Sequence, residues 1–286
     1  MKLSKIVLGT AQFGLDYGIN NKTGQISKEE VFDILRASQK NGIDTIQTSY
    51  AYGNSEEIIS EFIKKERPHL KIISKLPLEN VEQFVKASLE KFNCSEIYAY
   101  LVNEPKQASE NPEFWDKVKN IKKLGKVKKI GFSLNRPEEI EWLLKKKIAF
   151  DIVQVPFSVL DQRFAKMFPL LKKENIEIHA RSVFLQGLMF KKPEELKGKF
   201  IKLKEKISEL QSISREKDVP ISAICMNFVM LNKYVDKIVI GVDSLKNLKE
   251  NLKIRVYRDK VDSVYGRLMG LKENDENVIL PINWSN

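Results

Sequence analysis

Sulfur and imidazole are scarce in this chain, which has two cysteines and two histidines among 286 residues. Cys94 and Cys225 lie far apart with no CxxC or Cys/His spacing. That excludes a disulfide framework and a structural zinc site, and no metal is expected. Both cysteines read as small apolar residues packed in a reducing cytoplasm. No segment offers the roughly 18 consecutive apolar residues of a membrane span, and the apolar stretch before Gly9 is too short for a secretory signal. Flexible Gly/Ser linkers, low-complexity tracts and helix-pair repeats are also missing, so one domain is expected, with residues 256–286 as a C-terminal extension.

Negative charge is the scarcer sign, with 38 Asp and Glu against 49 Lys and Arg, a net +11. Such a balance suits an anionic small molecule. The basic runs Lys122–Lys123, Lys126–Lys129 and Lys145–Lys147 stand at the ends of helix-patterned segments, where lysine answers the helix dipole in solvent. No nucleic acid or membrane partner is expected from them, and the oligomeric state is open.

With 42% hydrophobic residues the chain can bury a large core, and eight short apolar runs of strand length recur along it. They are 5–9, 44–48, 71–75, 97–102, 128–133, 151–155, 176–180 and 237–241. Helical patterns follow at 28–39, 55–65, 79–92, 111–124, 137–144, 163–173, 200–217 with 221–231, and 245–252. Eight β-then-α units point to α/β architecture, a single (β/α)8 TIM barrel. Ser27 with Glu30 reads as a capping box, and Asn54 or Ser55 as the next cap. The tail beyond Val256 is expected to cross the barrel mouth or cover its side.

In such a barrel chemistry belongs at the C-terminal strand ends. There the segment GIDTIQTSYAYGNSE (residues 42–56) resembles the second-strand signature of the aldo/keto reductases. LGTAQFG, ISKL, YLVNEP, IGFS, VQVPFSVL, ARSVFLQGL and IGVDSLKNLKEN follow in family order across nearly the whole chain. The resemblance implies hydride transfer between NAD(H) or NADP(H) and a carbonyl or secondary alcohol. It gives Tyr52 the place of the proton donor and Lys75 that of the ammonium that lowers the donor's pKa. Gln47 stands where the family has aspartate, and Asn103 where it has histidine. Asp44 is no substitute, since it lies eight residues before Tyr52 rather than five, on the opposite strand face from Gln47. Without the aspartate, Lys75 is expected to keep its proton and depress Tyr52, biasing the tyrosine toward proton abstraction. Asn103 keeps an amide N–H for a substrate oxygen.

For the cofactor, the resemblance implies Ser133 and Gln154 at the nicotinamide carboxamide, with Leu134 replacing a frequent amide residue, and Arg181 beside the nicotinamide or its phosphates. Gly9 and Thr10 at the first strand end join this set. Ser182, Leu185 and Gly187 match the loop near the pyrophosphate. Gly241, Asp243, Asn247, Glu250 and Asn251 match the adenosine segment. Asp243 would repel a 2′-phosphate and accept a hydrogen bond from a free ribose hydroxyl, favouring NAD(H) against the family habit of NADP(H). A phosphate has Lys246 or Lys249 as alternatives, and Asp243 has the alternative of a loop or helix cap.

His69 reads as solvent-facing, and His179 as a hydrogen-bonded core position with a lesser prospect of reaching the site. The chain style is similar to bacterial members associated with surface-polysaccharide sugars, which favours an anionic sugar derivative as substrate. Two other readings compete: a lyase or isomerase using Tyr52 and Lys75 without redox chemistry, and a cofactor-binding pseudoenzyme acting as sensor or subunit.

Overall fold

In the computed structural model, which describes residues 3–284, eight parallel strands close into a barrel in strict sequence order. They are β1 (Ile6–Gly9), β2 (Thr45–Gln47), β3 (Lys71–Lys75), β4 (Ile97–Val102), β5 (Val127–Ser133), β6 (Ile152–Pro156), β7 (Glu177–Arg181) and β8 (Lys237–Ile240). β8 pairs with β1 through Ile6 and Ile238, which seals the cylinder. The (β/α)8 expectation holds, with strand ends differing from the sequence reading by a residue.

Strand alternation sorts the apolar residues into two cores. An outer core lies between barrel and helices and takes Ile6, Leu8, Tyr100, Val102, Val153, Ile178 and Ile238. A smaller inner core of Val7, Ile73, Ala99, Leu101, Ile152 and Val239 fills the barrel. Two residues beyond five of these six side chains, the same inward face reaches the C-terminal mouth. Val7 leads to Gly9, Ile73 to Lys75, Leu101 to Asn103, Ile152 to Gln154 and Val239 to Gly241. Gly131 has no room for a side chain, because a Cβ there would lie 1.8 Å from the Ile152 carbonyl oxygen.

The opposite end of the barrel is polar. Glu177 pairs with Lys129, accepts from Tyr98 Oη at 2.9 Å and meets His179 Nε2 at 2.5 Å. Lys129 is therefore an interior residue, not the solvated lysine of a helix end. Asp44 pairs with Lys71 at 2.6 Å beside Thr45, away from the mouth. His179 is fully buried below the catalytic end, and His69 is exposed.

The helices form as the apolar spacing dictates, with local changes. Ser27 accepts from Glu30 N at 3.3 Å, but the Glu30 carboxylate accepts instead from Leu245 N at 3.0 Å, tying the helix Lys28–Lys40 to the one that follows β8. The expected helices over 163–173 and 200–217 each begin with a 3-10 segment, Arg163–Met167 and Gly198–Leu203. Cys225 is buried in the outer core and Cys94 packs against it. In the tail, Tyr265 stacks on Phe228 at 5.1 Å and Trp284 meets Phe200 edge-on at 5.0 Å. Leu280, Pro281 and Ile282 reach the rim of the mouth. The tail thus does both things expected of it, covering the side and edging the opening.

Candidate active site

A cavity of about 700 Å³ opens at the C-terminal ends of the strands. Every strand contributes to its wall at or near its C-terminal end, through Gly9, Gln47, Lys75, Asn103, Ser133, Gln154 and Arg181, and through Val239, Ile240 and Gly241 at the end of β8. Thr10, Tyr52, Ser182, Gly187, Asp243, Asn247, Glu250 and Asn251 line the same space. Leu185 does not. Its side chain is buried in the outer core, although its backbone belongs to the loop beneath Gly187.

Tyr52 is held by its backbone. The chain leaves β2 through Thr48 N donating to Ile73 O at 2.8 Å, then turns so that Tyr52 N donates to Ser49 O and Ser55 N to Tyr52 O, both at 3.0 Å. Ser55 is no helix cap here. Its hydroxyl donates to the Thr10 carbonyl at 3.0 Å and pins the turn to the end of β1. Asn54 does not cap by its side chain either, and accepts from Gln25 at 2.7 Å.

Lys75 Nζ stands over the Tyr52 ring, 5.7 Å from its centroid. Among the described residues no carboxylate pairs with Lys75 or with Arg181. Arg181 donates to three neutral acceptors: Asn135 Oδ1 at 2.6 Å, Leu134 O at 2.8 Å and Ser182 Oγ at 3.2 Å. Gln47 is buried and its Nε2 donates to Thr48 O at 2.7 Å. Burial, and then the Arg181 cation, bring Lys75 down to about 8. Burial pushes the Tyr52 phenol above its ordinary value, against the weaker opposing pull of the Gln47 side chain and Arg181. The expectation of a depressed tyrosine is therefore corrected. The cavity floor is drier than the sequence suggested, so desolvation outweighs the cations and favours both neutral forms. Asn103 is exposed at the rim.

On the other side of the cavity, Gln154 is 2% exposed and its Nε2 has no hydrogen-bond partner among the described residues. Ser133 lies beside it on β5, in register with Gln154. Ser244, not Asp243, caps the last helix of the barrel, accepting from Asn247 N at 3.2 Å. The Asp243 carboxyl faces the cavity, raised by burial and opposed by a hydrogen bond with Gln12. Lys246 and Lys249 lie outside the cavity. The lysines near Asp243 are Lys22 and Lys192, which line an adjoining hollow of about 450 Å³.

Several wall residues escaped sequence reasoning. Asn135 supplies the amide missing at Leu134, one position later, and spends it on Arg181. Tyr17 joins the wall with its hydroxyl accepting from Gln186 Nε2 at 3.1 Å. Its loop meets the loop after β7 closely, since a Cβ on Gly187 would lie 2.7 Å from Asn20 Cβ. The only available signal for these contacts was the pair of glycines, Gly18 and Gly187, both at positive φ.

The model of the aldo/keto reductase family matches residues 5–272. A curated relative, oxidoreductase sirO of Leptosphaeria maculans, is 25% identical over 199 residues, covering 64% of this chain and 60% of the relative. The aldo-keto reductase AKR11C1 from Bacillus halodurans in its holo form superposes with a TM-score of 0.72, 17% identity and 91% coverage of both chains. A putative aldo-keto reductase from Pseudomonas aeruginosa gives 0.66 and 18%, covering 87% of this chain and 88% of that one. A closed barrel of eight parallel strands, a cavity at their C-terminal ends and a family match over 5–272 lead to one assignment: the chain belongs to the aldo/keto reductase family.

Proposed function

We propose that this chain transfers hydride between a nicotinamide cofactor and a carbonyl or secondary alcohol of a sugar derivative, with Tyr52 as proton donor and acceptor. The observation that carries the reading is the buried, unpartnered Gln154 amide in a cavity that also presents Tyr52 and Lys75. An orphaned buried donor costs free energy unless a ligand supplies an acceptor. A carboxamide oxygen meets that need. The residues therefore fit a nicotinamide dinucleotide. Ser133 and Gln154 would hold its carboxamide, Ser182 and Gly187 its phosphates, and Asn247, Glu250 and Asn251 its adenosine end.

When bound, the cofactor supplies the hydride. The protein's share is the proton. Burial keeps the Tyr52 hydroxyl protonated through neutral pH, so it serves as donor to an alkoxide rather than as a resident base. Arg181, and Lys75 below about pH 8, favour the tyrosinate left behind. Asp243 supports NAD(H) over NADP(H), since its carboxylate repels a 2′-phosphate. Two uncompensated cations in the cavity support an anionic sugar derivative as substrate.

Fluorescence titration with NADH and NADPH is the first test, followed by a panel of sugar aldehydes and ketones. Micromolar binding with hydride incorporation, abolished by Tyr52→Phe, is expected. Failure of both nucleotides to bind would overturn the redox reading and leave the lyase or isomerase alternative.

A further inference from the structure

The amine of Lys75 lines the cavity of about 700 Å³ at the barrel mouth, and among the described residues no carboxylate pairs with it. Gln47 occupies the neighbouring strand end, offering an amide where a carboxylate would hold the ammonium. Among the described residues, the close partner of Nζ is the face of the Tyr52 ring. Arg181, across the cavity at the end of β7, donates its hydrogen bonds to neutral acceptors and leaves its positive charge without a carboxylate partner. A lysine that is desolvated and faces a second cation is activated as a nucleophile. We propose that Lys75 captures small aldehydes and hydroxy ketones as an imine, an activity of this cavity that requires no nicotinamide.

The chemistry balances with groups already present. The Nζ lone pair attacks the carbonyl carbon, a C–N bond forms, and the C=O π pair moves to oxygen, which takes the Tyr52 proton. The nitrogen returns one proton to the Tyr52 oxygen. The carbinolamine then loses its hydroxyl with the second N–H proton as water, leaving a carbon–nitrogen double bond between the former carbonyl carbon and Nζ of Lys75. No oxidant or reductant is consumed.

The groups facing Lys75 are Tyr52 from the turn after β2, Arg181 from β7 and the neutral Gln47 and Asn103 from β2 and the end of β4. Glu104 lines the same cavity without pairing with it. Burial, and then the Arg181 cation, lower the amine to about 8. An amine titrating at about 8 is about a quarter neutral at pH 7.5, whereas an ordinary lysine at about 10.4 is neutral on the order of one part in a thousand.

The test uses the whole chain freed of nicotinamide nucleotides, incubated with D-glyceraldehyde and sodium cyanoborohydride, with adducts mapped by peptide mass spectrometry. Lys75 is expected to be labelled at least tenfold faster than exposed lysines such as Lys28 and Lys117. The rate–pH midpoint is expected near 8, displaced upward in Arg181→Gln. Lys75→Arg keeps the charge and should show no adduct at that site. Labelling of Lys75 at the pace of surface lysines, or a midpoint near 10 in the wild type, would overturn the proposal. Because no cofactor is present, this outcome is independent of the NADH and NADPH titrations that test hydride transfer.

Discussion

Gly14 and Gly53 meet backbone to backbone beside the cavity. A Cβ on Gly53 would lie 2.2 Å from the Gly14 carbonyl oxygen, and a Cβ on Gly14 would lie 1.9 Å from the Tyr52 carbonyl oxygen. Gly53 also has a φ of 53°, which favours glycine. The short helical turn Ala11–Gly14 therefore acts as a stop for the turn that presents Tyr52.

Gly14→Ala should displace that turn, since the atoms its Cβ would strike, Tyr52 O at 1.9 Å and Ser55 N at 2.5 Å, are backbone. A shift on the order of 1 Å in the acid costs roughly 100-fold in rate. The expected result is a fall of that size in kcat with the circular dichroism spectrum retained. Unchanged kcat in a folded variant would show that the stop does not position Tyr52.

The opposite barrel end makes a separate claim on stability. Burial alone would raise the Glu177 carboxyl, but His179 and then Lys129 hold it below the ordinary carboxylate range. A carboxylate depressed in the folded state contributes stability that is full above its unfolded value of about 4.3 and lost as pH falls below it. Glu177→Gln leaves Lys129 without its ion pair and should cost about 3–5 kcal/mol at neutral pH. The wild-type advantage should shrink on acidification below about pH 4.3, read from urea unfolding of both proteins. The hydride transfer proposed for the cavity should be unaltered under folded conditions, because this cluster does not line it.

On the proposed function, Asp243 sets the choice of cofactor. Removing its charge in Asp243→Ser relieves repulsion of a 2′-phosphate while Lys22 and Lys192 remain beside the position. A relief of about 1.4 kcal/mol is tenfold in affinity. The NADPH-to-NADH ratio of Kd values should fall by about that factor, checked by fluorescence titration. An unchanged ratio would mean that the phosphate end lies elsewhere.

The barrel was legible because strand-length apolar runs and helical spacing repeat eight times with few interruptions, and the inward face of each strand follows from its period of two. The wall of the cavity followed from the same count, one strand end after another. What escaped depended on contacts between segments distant in sequence. Glu30 reaches Leu245 rather than closing its own capping box. Lys129 points into the barrel because it lies two residues before Gly131 on the inward face of β5, a phase that the basic run around it obscures. The pKa directions at Tyr52 and Lys75 depended on burial in a cavity that segments far apart in sequence, Tyr17 and the tail at Leu280–Ile282 among them, help to line, which local sequence does not record.

Gln47 is the residue on which these electrostatics turn, and Gln47→Asp restores a carboxylate beside Lys75. Lys75 is depressed from 10.5 to about 8 in the folded protein, so its contribution to stability is full above 10.5 and lost as pH falls through about 8. A neighbouring carboxylate should stabilise the ammonium and move Lys75 upward, by one unit or more for an opposite charge at about 4–6 Å. The alkaline limb of the reduction profile, where Lys75 loses its proton, should move up with it. The folding stability of Gln47→Asp relative to wild type should be higher at pH 7 than at pH 10. Aldehyde labelling of Lys75 at pH 7.5 should slow by about tenfold, because the neutral amine is depleted in proportion. If the alkaline limb rises while labelling of Lys75 stays constant, the fraction of neutral amine does not govern its capture of aldehydes; if neither moves, Gln47 does not set the charge state of the site.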